Sequence, residues 1–297
     1  MIASYTLGIR GADLVYDIRG PLPIPDGRPP LLMIGQPMDA SGFGALASYF
    51  PDRTVVTYDP RGIGRSMRSA GRVDHDPLVQ AGDVHLLIAA LGAGSVEMFA
   101  SSGGAVTALA LVATHPADVL VLVAHEPPIL GVLPDRDAAE RALGQVGAAY
   151  QAGGLGAGMA AFIAMTSWPG EFTQEYFDRP LPAPAQYGMS AEDSGSRDDP
   201  LLSGRSAAVT AYLPDFAALA ASPTRIVIAA GEESLGLVAA RAAAAVAERL
   251  HQQLTIFPSH HGGFVGGDHP FAGQPEAFAR RLRATLAGDQ AGQPGPG

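Results

Sequence analysis

The sequence predicts an α/β fold with a mostly parallel central sheet and helices on both faces. Short, nearly unbroken apolar runs at 31–34, 54–58, 96–99, 119–124, 225–230 and 254–257 read as strands covered on both sides. Helical stretches separate them in regular alternation. Between 134 and 214 the alternation stops and the sequence turns helical, then Pro-rich and acidic, with no convincing strand.

Taken in order, residues 4–9 and 14–18 alternate as two strands of a hairpin turning at Gly11, and a Pro-rich connection follows over 20–30. The run 31–34 ends in Gly35-Gln36-Pro37, and a short helix is expected over 43–50. Strand 54–58 runs into the polar turn Asp59-Pro60-Arg61-Gly62-Ile63-Gly64-Arg65-Ser66. Residues 77–91 form an amphipathic helix, with Leu78, Val84, Leu87, Ile88 and Leu91 on one side.

The next stretch carries the chemistry. The strand 96–99 crosses four small residues and becomes a helix that Pro116 ends. A serine held at such a strand-to-helix turn projects its hydroxyl beyond the sheet, and the first helical N–H groups point at the same place. The residues two before and two after the nucleophile must be small. Ser102 meets that demand with Ala100 and Gly104, whereas Ser101 would place Phe99 there.

Strand 119–124 closes on His125-Glu126-Pro127-Pro128. In the irregular region, helices are expected at 138–150 and 155–167, and Trp168, Phe172, Tyr176 and their apolar neighbours read as packing rather than as a pocket. The pattern then resumes with helix 215–221, strand 225–230, helix 235–250, strand 254–257 and helix 275–286. The expected organisation is a core over 1–133, a helical cap inserted over 134–214, the rest of the core over 215–287, and a disordered tail over 288–297.

Composition narrows the function. With 19 Lys and Arg against 29 Asp and Glu, the net charge of -10 argues against nucleic acid or an anionic membrane as partner. There is no cysteine to serve as disulfide, thiolate ligand or nucleophile. The start of the chain lacks a basic, then apolar, leader, and the Ala-rich run 237–250 is broken by Arg241 and Glu248. These features lead us to expect a cytoplasmic protein acting on a small-molecule substrate, with no cofactor and no metal, and with homo-oligomerisation left open. The acidic stretch 192–199 matches no metal loop and reads as a solvated surface.

The motifs together resemble the α/β-hydrolase family across most of the chain. They are the elbow Ala100-Ser101-Ser102-Gly103-Gly104, the turn Asp59 through Ser66, and the late segment Phe257-Pro258-Ser259-His260-His261-Gly262-Gly263-Phe264. The resemblance implies a Ser-His-acid triad. His261, standing two before Gly263 and Phe264, is selected as the base over the adjacent His260. His75, His85, His251 and His269 are read as loop or solvated residues, and His115 as a helix end. The acid departs from the common pattern: Gly231-Glu232-Glu233-Ser234 puts Ser234 where the family usually has an aspartate. Some relatives carry the acid after the preceding strand, where this chain has Glu126, and Glu232 or Glu233 remain the alternatives. The oxyanion hole would use the backbone N–H groups of Gly103 and Gln36, with Ile34-Gly35 replacing the usual His-Gly. The turn at Asp59 and Arg61 is expected to be structural.

The expected function is hydrolysis of a carbonyl ester or related acyl bond of a small, largely apolar substrate through an acyl-enzyme. The alternatives are a non-catalytic small-molecule binder and an acyltransferase or cofactor-free haloperoxidase-like relative. A serine rather than an aspartate at the elbow argues against epoxide hydrolysis and dehalogenation.

Overall fold

The computed structural model describes residues 2–24, 27–68, 75–268 and 271–288. The expected tail beyond 288 and His269 lie outside them. Strands β1 (Ile2–Ile9) and β2 (Ala12–Arg19) form the expected hairpin, with Ile9 opposite Ala12 across Gly11, which has φ +82. There follow β3 (Leu31–Gln36), α1 (Gly44–Ser48), β4 (Val55–Tyr58), β5 (Met67–Arg68), α2 (Pro77–Leu91), β6 (Val96–Ser102), α3 (Gly103–Thr114) and β7 (Val119–His125). Beyond β7 come α4 (Arg136–Thr166), α5 (Gln174–Asp178), α6 (Ala207–Ala211), α7 (Phe216–Ala221), β8 (Arg225–Gly231), α8 (Val238–Arg249), β9 (Thr255–Phe257) and α9 (Pro275–Ala287).

The strands lie side by side in the order β1-β2-β4-β3-β6-β7-β8-β9, and the two-residue β5 pairs with β2. Pairing is antiparallel around β2 and parallel from β4 to β9. Alternation along the strands divides the core. Leu32, Ile34, Met98, Ala100, Leu122, Ala124 and Ile228 pack on the side of α2, α3 and α8, while Leu31, Met33, Phe99, Val121, Val123 and Ala229 meet α1 and α9. Both faces are therefore dry, which explains why these strands read as apolar runs without alternation.

Helix α2 starts where Asp76 accepts the N–H of Leu78 and stops at Gly92, in the left-handed conformation. The turn after β4 is structural. Asp59 is buried, and its carboxylate accepts the N–H groups of Ala40 at 3.0 Å and Arg65 at 2.7 Å, while the Arg61 guanidinium grips Asp83 at 2.6 and 2.8 Å. It thereby fixes the chain just after β3.

Residues 134–214 carry no strand among those described. The two helices expected there meet at a single residue: α4 runs through Gly154, which alone takes non-helical angles (φ 73, ψ −161). A Cβ on Gly154 would lie 2.3 Å from Asp193, and one on Gly156 would lie 2.1 Å from the Ser190 carbonyl. Glycine at this break therefore lets the acidic segment lie flat on the helix, where Arg197 pairs with Asp193 at 2.7 Å. Trp168 and Phe172 each pack edge to face on Tyr176. His75, expected in a solvated loop, is instead fully buried at the foot of α2, with Nδ1 3.0 Å from Ser206 Oγ. The His75 N–H donates to the Arg205 carbonyl at 2.8 Å, which holds this residue inward.

Candidate active site

Parallel strands bring their carboxyl ends to one rim, and that rim collects the candidate residues. Gln36, the last residue of β3, is the register partner of Ser102, the last of β6, and Ser101 is the partner of His125, the last of β7. Ser102 has φ 57 and ψ −130, a strained conformation for a residue with a side chain, and helix α3 begins directly after it. The tightness is measurable. A Cβ on Gly104 would fall 2.7 Å from both the Gly35 Cα and the Ile34 carbonyl, and one on Gly103 would fall 2.9 Å from the Gln36 carbonyl. Glycine at 103 and 104 is what allows α3 to start against the end of β3. The Gly103 N–H belongs to the unpaired first turn of that helix, where partial positive charge gathers.

Glu126 follows β7, also with positive φ (48), and is fully buried. Its Oε1 accepts the Gly231 N–H at 2.8 Å, and its Oε2 lies 2.5 Å from His261 Nδ1. Isolated burial would raise the acid's pKa, but the hydrogen bond and charge of His261, with the Gly231 amide, reverse this and hold the carboxyl at about 2. Packing around the His261 ring opposes its protonation, yet the hydrogen bond to Glu126 and its charge outweigh that and keep the imidazole above its ordinary pKa of 6.5. The ring keeps an open edge, with 46% of the side chain accessible. Among the described residues Ser102 Oγ makes no hydrogen bond, to His261 or to any other group.

The loop that carries His261 is held by β8. Ser259, with φ 69, donates its N–H to Glu232 Oε1 at 3.3 Å and accepts the Glu233 N–H at 3.0 Å. Gly231 has no side chain because a Cβ there would lie 2.5 Å from the Ser259 carbonyl. Of the three acids left open by the sequence, Glu126 makes the hydrogen bond to His261, while Glu232 anchors the loop and Glu233 is exposed. Ser234, in the place where the family usually has an acid, is buried, and its hydroxyl lacks a partner among the described residues. His260 is occupied elsewhere: its Nδ1 accepts the Gly262 N–H at 3.0 Å.

Two features of the rim escaped the sequence reading. His125 is completely buried among Phe99, Phe257, Phe264 and Phe278, with its ring centroid 6.2 Å from that of His261 and its Nε2 3.9 Å from Glu126 Oε1. Burial pushes its pKa down to about 4, so the ring is neutral at pH 7. The second is a buried polar chain. Thr107 Oγ1 donates to Gln80 Oε1 at 3.0 Å, and Gln80 Nε2 donates to Gln36 Oε1 at 3.1 Å. Both features lie in stretches whose apolar pattern draws attention to packing. Only the interruption of that pattern by His125, Gln80 and Thr107 could have signalled them. Among the described residues no group of three His, Asp or Glu side chains is arranged to hold a metal ion.

No protein-family model matches the chain. It is 29% identical over 273 residues to the uncharacterized hydrolase YraK of Bacillus subtilis, covering 89% of this chain and 91% of that one. A 100-residue stretch, 33% of this chain and 32% of the other, is 32% identical to a proline iminopeptidase of Xylella fastidiosa. Among solved structures, the enol-lactonase of Burkholderia xenovorans superposes with a TM-score of 0.65 at 16% identity, over 95% of this chain and 100% of that one. A thermophilic esterase of Thermogutta terrifontis does so with a TM-score of 0.61 at 21% identity, over 98% and 100%. The strand order, the serine at the strand-to-helix turn and these likenesses agree, and the chain has the α/β-hydrolase fold.

Proposed function

We propose that the chain is a serine hydrolase that cleaves a carboxylic ester or a related acyl bond of a small, largely apolar substrate. The observation that carries this reading is the His261–Glu126 hydrogen bond, on the same rim as a serine whose backbone is held at φ 57. A serine hydroxyl needs a base at neutral pH, and an imidazole whose Nδ1 is fixed by a carboxylate presents Nε2 for that purpose. Ser102 would pass its proton to His261 Nε2 as Oγ attacks the carbonyl carbon. The Gln36 and Gly103 amides would hold the resulting oxyanion, each donor contributing about 3 kcal/mol in chemistry of this kind. The protonated imidazole would then give its proton to the leaving alkoxide. Water, deprotonated by the same ring, would release the acyl group from Ser102. The Ser102–His261 contact would close when substrate enters, as such contacts often do. The helical segment 134–214 would serve as the cap over this rim.

The names of the relatives, a hydrolase, an esterase and an enol-lactonase, support acyl-bond hydrolysis. A fluorophosphonate probe should label the wild-type chain and leave Ser102→Ala unlabelled, and Ser102→Ala should lose hydrolysis of short-chain aryl esters by at least about 10³-fold. The unbonded Ser102 hydroxyl favours, as the second reading, a protein that binds small molecules without turning them over. An unreactive wild-type chain would select it.

A further inference from the structure

Gln36 is 3% exposed, Gln80 2% and Thr107 1%, so the polar chain they form is closed to water. Its donors and acceptors run in one direction. Thr107 donates to Gln80, Gln80 donates to Gln36, and the last donor, Gln36 Nε2, is left buried without a partner among the described residues. Buried polar groups are seldom left unpaired, because the group gives up its water and receives nothing in return. This one belongs to the residue in register with Ser102, and its side chain runs along Gly103: a Cβ on that glycine would come within 3.0 Å of the Gln36 Cβ and Cγ.

We propose that the Gln36 carboxamide reads the substrate, donating a hydrogen bond from Nε2 to an oxygen on the carbon next to the scissile carbonyl. The favoured substrates are then 2-oxygenated acyl compounds, such as alkoxy-, hydroxy- or keto-acyl esters. This rests on the serine hydrolase reading and narrows its substrate class. Covalent geometry suits it. Two oxygens on adjacent carbons of one acyl group lie about 3 Å apart, and the backbone N–H and side-chain N–H of one glutamine can reach such a pair together. Gln80 engages Oε1, which leaves Nε2 as the end of the carboxamide without a partner among the described residues.

The test compares 4-nitrophenyl methoxyacetate with 4-nitrophenyl butanoate and reads the ratio of their kcat/KM values, so that effects on the shared chemistry cancel. Gln36→Met should lower the wild-type ratio about tenfold, the worth of one buried hydrogen bond. Gln80→Met, which removes the bond to Oε1, should lower it by less. If both rates fall together in Gln36→Met and the ratio stays fixed, the amide serves the oxyanion itself and the proposal is wrong. A second readout does not need turnover: on Ser102→Ala, binding of methyl methoxyacetate relative to methyl butanoate, followed by NMR shift perturbation, should weaken about tenfold on adding Gln36→Met. An unreactive wild type that still shows this binding difference would sink the hydrolase reading and keep the carboxamide's role. Equal binding of both esters before and after Gln36→Met would overturn the proposal.

Discussion

At the rim, Glu126 is the carboxylate that pairs with His261. Its removal has a sign as well as a size. As the proposed base, His261 would act only when neutral, and Glu126 holds its pKa above 6.5, so the acid limb of kcat/KM should lie above pH 6.5. Glu126→Gln should lower kcat by about 10³-fold or more and move that limb to lower pH, which a pH–rate profile of both proteins would measure. A profile that keeps its limb while losing rate would assign Glu126 to structure alone. The residues themselves differed in legibility. Ser102 and His261 could be picked out because small neighbours and a fixed spacing surround them. Glu126 could be named only beside two alternatives, because a hydrogen bond across 135 positions leaves no local trace.

At the level of elements, β7 delivers two titratable groups in succession, His125 into the aromatic core and Glu126 onto the rim. The strand's alternation puts His125 where neither ring nitrogen has a hydrogen-bond partner among the described residues, and burial outweighs the Glu126 charge 3.9 Å away. Its pKa is about 4 in the folded chain against 6.5 unfolded, so the unfolded chain binds the extra proton between those values. Stability from this residue is complete above pH 6.5 and is lost as pH falls toward 4. The Glu126 carboxyl acts in a lower window, from 4.5 down to about 2. His125→Leu should therefore lose about 2 kcal/mol less stability than wild type between pH 7 and pH 5, read from urea midpoints at the two pH values. A parallel pair of curves would mean that the ring is protonated in place. The strands were the most legible elements, since burial on both faces writes itself as an apolar run. The two-residue β5 was not, being too short to carry a period. The break in α4 was legible as two helices, but its cause, the approach of Asp193 to Gly154, is a contact between distant segments.

For the molecule as a whole, the helices of 134–214 are tied to the sheet layers by a buried ion pair. Arg241 of α8 pairs with Asp135 just before α4 and donates to the Gly170 carbonyl at 2.6 Å. Asp135 in turn accepts the Phe172 N–H at 2.7 Å, and its side chain is only 8% exposed. Arg241→Met would strand that carboxylate, and removal of one partner of a buried pair costs about 3 kcal/mol. We expect a lower denaturant midpoint and faster protease cleavage within 134–214. Cleavage unchanged in rate and site would show that apolar packing alone holds the segment.

The placement of His261 after the ninth strand carries a consequence for synthesis. Ser102, the proposed nucleophile, is made 159 residues before His261, whose loop docks through β8 and β9. Under the proposed mechanism a nascent polypeptide would carry an inert serine until His261 has left the ribosome. Reactivity would then arise only once β8 and β9 are in place, so any chain that reacts would already have folded to that edge of the sheet.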